Sequence, residues 1–144
     1  LAGWVGAAAL FVVVGVREVT SQEFDSATRD ALVLLRFPAY YVYGACSLGA
    51  SWLCCLGARA GNLDRRRALN LCLVIVGLAG VLMLVDYVWV YRPLAEMLDS
   101  PARPQSFVAY HQASKWINAA GVGLCLAGAL LVSWPRSGSP AAGA

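Results

Sequence analysis

The sequence predicts an all-α fold, an integral membrane bundle of four antiparallel helices, from three observations. Hydrophobic residues make up 60% of the 144 and charged residues only 13%, a balance that lies outside the soluble class. The apolar residues gather into four runs, which place helices at about 1–17, 34–56, 68–91 and 107–134. Nearly all the charge falls in short clusters between those runs, so the net charge of +3 is loop chemistry. No basic surface follows an element, and nucleic acid is excluded as a partner. The expected partners are the lipid bilayer and other membrane proteins or further copies of the chain.

The first run reaches only Val16 before Arg17, short of the ~20 residues that cross a bilayer. It reads as a retained span with residues missing upstream, because no basic segment precedes it as in a signal peptide. The connection that follows has Thr20 or Ser21 before Glu23 in a capping-box arrangement. Phe24, Ala27, Ala31 and Leu32 then recur at helical spacing, so a short surface helix is expected there.

In the second run Arg36, Tyr40, Tyr43, Ser47, Ser51 and Cys54 recur at steps of three and four. That stripe is expected to look inward. The connection after it carries Arg59, Arg65, Arg66 and Arg67 against Asp64, whereas the other two connections are near balance. The positive-inside rule puts it in the cytoplasm, with both termini on the same side. The third run carries Asp86 near its end. Beyond it Pro93 suits the first position of a short interfacial turn, stopped by Asp99-Ser100-Pro101.

The fourth run begins with a polar stripe and continues it with Gly121, Cys125 and Ala129, small residues that let helices approach closely in lipid. The tail 135–144 is small, Pro- and Gly-rich, and is expected to be a disordered cytoplasmic segment. Arginine outnumbers lysine ten to one, which with abundant alanine and glycine points to a GC-rich bacterial gene and so to a bacterial cytoplasmic membrane.

Candidate site residues come from the polar helix ends. His111, Ser114, Lys115 and Asn118 fall within roughly a 100° arc of one helix. Polar groups entering a membrane span are a functional-site hypothesis by default. With the predicted topology they meet the end of helix one (Arg17, Glu18), the start of helix two (Arg36, Tyr40) and the end of helix three (Asp86, Tyr87, Tyr91, Arg92). Asp86 inside an apolar run demands a partner, for which Arg36, Arg92, His111 and Lys115 are the candidates. It reads either as a structural ion pair that fixes register or as a proton- or cation-binding carboxylate. His111 is the single histidine. It is a candidate for a proton or ligand role, or for a hydrogen bond to Asp86, Ser114 or a backbone carbonyl.

All five cysteines lie in apolar segments, the wrong arrangement for a disulfide framework. Cys54, Cys55 and Cys72 fall near the same end, but without a C-x-x-C pair they read as small buried hydrophobes rather than a metal site. Cofactor and metal are left undetermined. Tyr40, Tyr41 and Tyr43 suit an interfacial belt or the mouth of a cavity. No Ser-His-Asp order, phosphate loop or paired carboxylates appear, and no residue is assigned a catalytic role.

Phe107, Tyr110, His111, Ser114 and Asn118 form an F-x-x-Y-H-x-x-S-x-x-x-N opening of the last helix. In this motif, in Arg36-Phe37-Pro38-Ala39-Tyr40 followed by Gly44, in Trp4 and Phe11, and in Arg92-Pro93, the chain resembles the transmembrane protein 205-like family. The similarity covers most of residues 4–131. That family consists of small four-helix membrane proteins classed as a domain of unknown function, so the resemblance implies a fold and marked positions but no activity. Asp86 stands about where animal members carry asparagine, and the connection before the last helix is shorter here. The expected function is binding or transport of a small cation, proton or polar solute through Asp86, His111, Ser114 and Asn118. The alternative is a structural or assembly subunit of a larger membrane complex.

Overall fold

A computed structural model describes residues 1–61, 65–98 and 104–134. The tail 135–144, Asp64 and the stop at Asp99-Ser100-Pro101 lie outside the described residues. Every regular element among the described residues is helical: α1 (Ala2–Thr20), α2 (Ser26–Gly61), α3 (Arg66–Val85), a π-helical segment (Asp86–Tyr91), α4 (Arg92–Leu98) and α5 (Phe107–Ser133). Four spans are long and apolar enough to cross a membrane, with α3, the π segment and α4 forming one continuous span, Arg66–Leu98. Each packs on its neighbours in the order α1, α2, α3, α5 and back to α1, which closes a four-helix bundle. Successive spans are joined by short connections and run antiparallel.

The bundle differs from the sequence expectation at two helix boundaries. The short surface helix expected after Thr20 is the first two turns of α2. At 36 residues this helix is about 54 Å long, well beyond the ~30 Å hydrocarbon core, so part of it must stand outside the bilayer. Arg29 and Asp30 read in the sequence as charges of the connection before the span, since charge and span read there as alternatives. A helix that leaves the membrane without breaking carries both. Its start is fixed by Asp25, whose Oδ1 accepts the Thr28 backbone N–H at 2.8 Å, and by the Arg29 guanidinium donating to the Ser21 carbonyl at 2.8 Å. Pro38 lies within it, and the helix continues through it although proline removes one backbone donor.

The second difference is at Arg92-Pro93, where a separate interfacial turn is expected. The helix instead runs on to Leu98. The six residues before Arg92 wind as a π-helix, with the Arg92 N–H donating to the Tyr87 carbonyl. In an α-helix the Pro93 ring would crowd the carbonyl four residues back, and the wider turn falls immediately before it. Asp86, Val90 and Tyr91 are buried together, a spacing of four and five that belongs to the wider turn.

The core consists of Trp4, Leu48, Cys55, Leu69, Cys72, Val76, Ala79 and Cys125. Cys72 and Cys125 are fully buried, and the Cys55 Sγ lies 3.5 Å from the Cys72 Sγ. All five thiols are free, and Cys46 and Cys54 are exposed. Among the described residues no three metal-ligating side chains gather. Outward faces are apolar, as in Val12, Val13, Val16 and Val19 of α1, the pattern that lipid rather than water solvates.

Gly44 is required where α1, α2 and α3 meet. A Cβ there would sit 2.7 Å from the Trp4 ring and 2.7 Å from the Met83 sulfur. Gly44→Ala is therefore expected to destabilise the detergent-solubilised protein by about 1–3 kcal/mol. Gly49→Ala on the same helix, whose Cβ meets nothing within 4 Å, is expected to be near neutral. Thermal unfolding of the two variants side by side checks this. The Asp25 cap carries a pH signature. Hydrogen bonds from the Thr28 hydroxyl and N–H, with Arg29 nearby, hold its carboxyl below the ordinary carboxylate value. The cap is thus fully present above the unfolded value and is lost as pH falls through the lowered folded value. Amide-exchange protection at the start of α2 is expected to fall over that acid range, and Asp25→Asn is expected to remove the dependence.

Candidate functional site

The site grows from the point where α3 gives way to the π segment. Asp86 begins that segment and is fully buried, with 0% of its surface exposed. Its Oδ2 accepts two hydrogen bonds, one from the Tyr41 hydroxyl of α2 at 2.6 Å and one from the Asn118 side-chain amide of α5. The same amide nitrogen also reaches the Ser114 carbonyl at 3.0 Å and the Ser114 Oγ at 3.3 Å. The Asn118 carbonyl oxygen accepts from the Tyr40 hydroxyl at 3.1 Å. The network fixes which way the Asn118 amide points, since Asp86 can only accept when ionised and Tyr40 donates to the other atom. One carboxylate is thus held by neutral donors from two other helices.

Two features of Asp86 set it apart from a structural ion pair. Its Oδ1 is buried with no hydrogen-bond partner among the described residues. None of the four cations expected to partner it does so. Arg36 pairs with Glu18 at 2.7 Å and lies over the Phe11 ring, 5.1 Å from its centroid. Arg92, His111 and Lys115 are exposed, and the His111 ring stacks on Phe107 with centroids 6.4 Å apart. The hydrogen bond expected between His111 and Asp86 or Ser114 is replaced by those of Asn118.

The reason lies in helix geometry. The buried residues of α5 are Ser114, Cys125 and Gly128, and at 100° per residue they centre roughly 60° from His111 and 100° from Lys115. Ser114 and Asn118 sit at the inward side of the predicted arc, and His111 and Lys115 at its outer edge. On α2 the discrepancy is larger. Its buried residues are Tyr41, Gly44, Leu48 and Cys55, a face turned roughly 90° from the predicted polar stripe. Tyr43 and Cys54 of that stripe are exposed.

Tyr41, expected in a belt or at a cavity mouth, also donates to Asp86, a contact the sequence does not show. The signal that finds it is the spacing of Tyr41, Gly44, Leu48 and Cys55, a helical face whose members are mostly apolar. Aromatic rings pack around Tyr41 and Tyr40, the two tyrosines of the hydrogen-bond network. Tyr41 meets Tyr87 edge-on at 5.0 Å and Tyr91 at 5.2 Å, and Tyr91 stacks on Phe37 at 5.4 Å. On the other side Tyr40 packs on Trp4 and Phe11, with centroids at 4.8 and 4.4 Å. Such contacts hold rings in place and keep water from the Oδ2 hydrogen bonds.

Comparison with models of known protein families, with curated proteins and with solved structures finds no match for this chain. The chemistry of the site therefore rests on its own geometry. A carboxylate oxygen without a partner can hold a proton or ligate a small cation. Among the described residues the Ser114 Oγ accepts from the Asn118 amide and has no base beside it to activate it as a nucleophile.

Deleting single members should rank them by distance from the charge. Tyr41→Phe removes a hydrogen bond to the carboxylate itself and is expected to destabilise by about 1.5–3 kcal/mol. Tyr40→Phe removes a bond between neutral groups and is expected to cost about 0.5–1.5 kcal/mol. Unfolding in a fixed detergent, with helical content as the readout, checks the order.

Proposed function

We propose that this chain is an integral membrane protein that binds, and in binding moves, a proton or small cation at Asp86. The observation that supports this reading is a fully buried carboxyl group with, among the described residues, one unpartnered oxygen and no cation paired to it. Leaving an ionised carboxylate so placed costs several kcal/mol, and a structural ion pair would have recruited Arg36, which binds Glu18 instead. An ion that comes and goes accounts for a site furnished with hydrogen-bond donors and left open on one oxygen. Tyr41 bonds Asp86 directly, and Tyr40 is linked to it through the Asn118 amide. The π-helical turn that carries Asp86 suits this role, because such turns gather at functional sites.

The membrane is taken to be a bacterial cytoplasmic membrane, with the Asp86 end of the bundle outward and Arg59, Arg65, Arg66 and Arg67 inward. Kinship with the transmembrane protein 205-like family belongs to the same proposal. Of that family's motif in α5, Asn118 reaches the carboxylate and Ser114 accepts from the same amide. The second reading, an assembly subunit, draws on the large apolar surface of α1, where Leu10, Val12, Val13, Val16 and Val19 all face outward. Native mass spectrometry of the protein extracted in mild detergent distinguishes a defined heteromer from a lone chain or homo-oligomer.

Uptake of protons, sodium or potassium into proteoliposomes tests the first reading. Asp86→Asn is expected to reduce the active ion's uptake by about tenfold or more, the effect of losing one charge-assisted site. His111→Ala and Lys115→Ala are expected to stay near wild type, since both side chains are exposed. Equal uptake by wild type and a well-folded Asp86→Asn protein would overturn the proposal.

A further inference from the structure

The hydrogen bonds to Asp86 all run one way. The Tyr41 hydroxyl donates to Oδ2 at 2.6 Å, and the Asn118 side-chain amide donates to the same oxygen. The other contacts of Asn118 fix that direction. Its amide nitrogen lies 3.0 Å from the Ser114 backbone carbonyl, which can only accept, and its carbonyl oxygen takes the Tyr40 hydroxyl at 3.1 Å. The neighbouring oxygens are thereby engaged elsewhere, since the Ser114 carbonyl and Oγ both serve the Asn118 amide. Among the described residues, every group bonded to Asp86 presents a hydrogen to it.

We infer that the ion Asp86 takes is a proton, carried on Oδ1, and that the site turns away sodium, potassium and calcium. The inference rests on the reading of Asp86 as an ion site and names the ion. A hard cation replaces its water shell with oxygen lone pairs from carboxylates, carbonyls or retained water. Here it would meet the O–H of Tyr41 and the N–H of Asn118, and no three metal-ligating side chains gather among the described residues. A proton needs a single oxygen, and Oδ1 is buried and without a partner among those residues. A neutral carboxyl group fits the bonding pattern atom for atom: Oδ2 is the carbonyl oxygen that accepts two hydrogen bonds, and Oδ1 is the hydroxyl. Leaving one O–H unbonded in a dry site costs far less than leaving an unpaired charge there. The titratable groups joined to Asp86 are Tyr41, bonded directly, and Tyr40, linked through Asn118. Both are phenols, which ordinarily keep their proton below about pH 10. Of the remaining groups, Arg36 and Glu18 pair with each other, and Arg92 and Glu96 of α4 and His111 and Lys115 of α5 are exposed. Cys125 lies about two turns beyond Asn118 in α5, and Cys72 about four turns before Asp86 in α3.

Infrared spectroscopy of the full chain in liposomes, wild type against Asp86→Asn, tests this. The wild type is expected to show the C=O band of a neutral carboxyl group, lost in Asp86→Asn and replaced by carboxylate absorbance as pH is raised. The band is expected to shift in deuterated water, which marks a proton that exchanges. It is also expected to shift with aspartate isotopically labelled at its carboxyl carbon, which assigns it without any substitution. Sodium, potassium or calcium added at constant pH and ionic strength is expected to leave it unchanged. Loss of the band on adding any of these cations would overturn the inference, as would its absence at every pH, or a band that ignores both pH and deuterated water. Ion uptake by the same liposomes separates the two readings. Asp86-dependent uptake of a metal cation would overturn the inference and leave the parent reading standing, whereas no Asp86-dependent uptake of any ion would overturn the two together.

Discussion

A single carboxylate buried among apolar helices constrains most of what surrounds it. In a medium without water, Asp86 must draw stabilisation from groups that other helices bring to it, and the bundle supplies Tyr41 from α2 and Asn118 from α5. Each hydrogen bond to a charged group returns about 1.5–3 kcal/mol, and both fall on the same oxygen. The other oxygen has no partner among the described residues. That asymmetry separates this site from a buried salt bridge, in which opposite charges would satisfy one another and leave nothing to exchange. It also ties three helices to one atom, so the register of the bundle and the state of the site are coupled.

The packing around Asp86 is arranged to keep it dry and held in place. The wide turn of the π segment turns Asp86, Val90 and Tyr91 inward together, and the rings of Tyr41, Tyr87 and Tyr91 close on one another. At Gly44 the absence of a side chain lets Trp4 and Met83 close the space on the same side of the bundle. Toward the opposite end the interior turns to small apolar contacts, with Cys55, Cys72 and Cys125 filling it. Free cysteine serves there as a compact hydrophobe, and the pair of thiols at 3.5 Å is packing rather than a metal site, since no third ligand joins them among the described residues.

Particular residues show how far the sequence reaches into the site. Asp86, Tyr40, Ser114 and Asn118 were legible because a polar residue inside an apolar run has few reasons to be there. Arg36, Arg92, His111 and Lys115 were read as its partners because opposite charge is the simplest way to pay for a buried anion. Long cations near a helix end have another choice, which is to reach the interface or a nearer acid, as Arg36 does with Glu18. Tyr41 was underrated because it lies beside more conspicuous polar neighbours on a face that is otherwise apolar.

By itself the sequence determined the class of fold, the number of spans and the end of the bundle at which polar groups gather. Those follow from hydrophobic run length and charge position, which act locally along the chain. Tertiary structure decided which face of each helix looks inward, and so which polar residues meet. In lipid both the inward and the outward face of a helix are apolar, so the hydrophobic pattern carries little rotational information, and a face of α2 roughly 90° from its most polar stripe became the core. That the helix after Thr20 runs on unbroken into α2, and that the chain widens into a π turn before Pro93 rather than breaking there, were likewise set by packing and backbone hydrogen bonding.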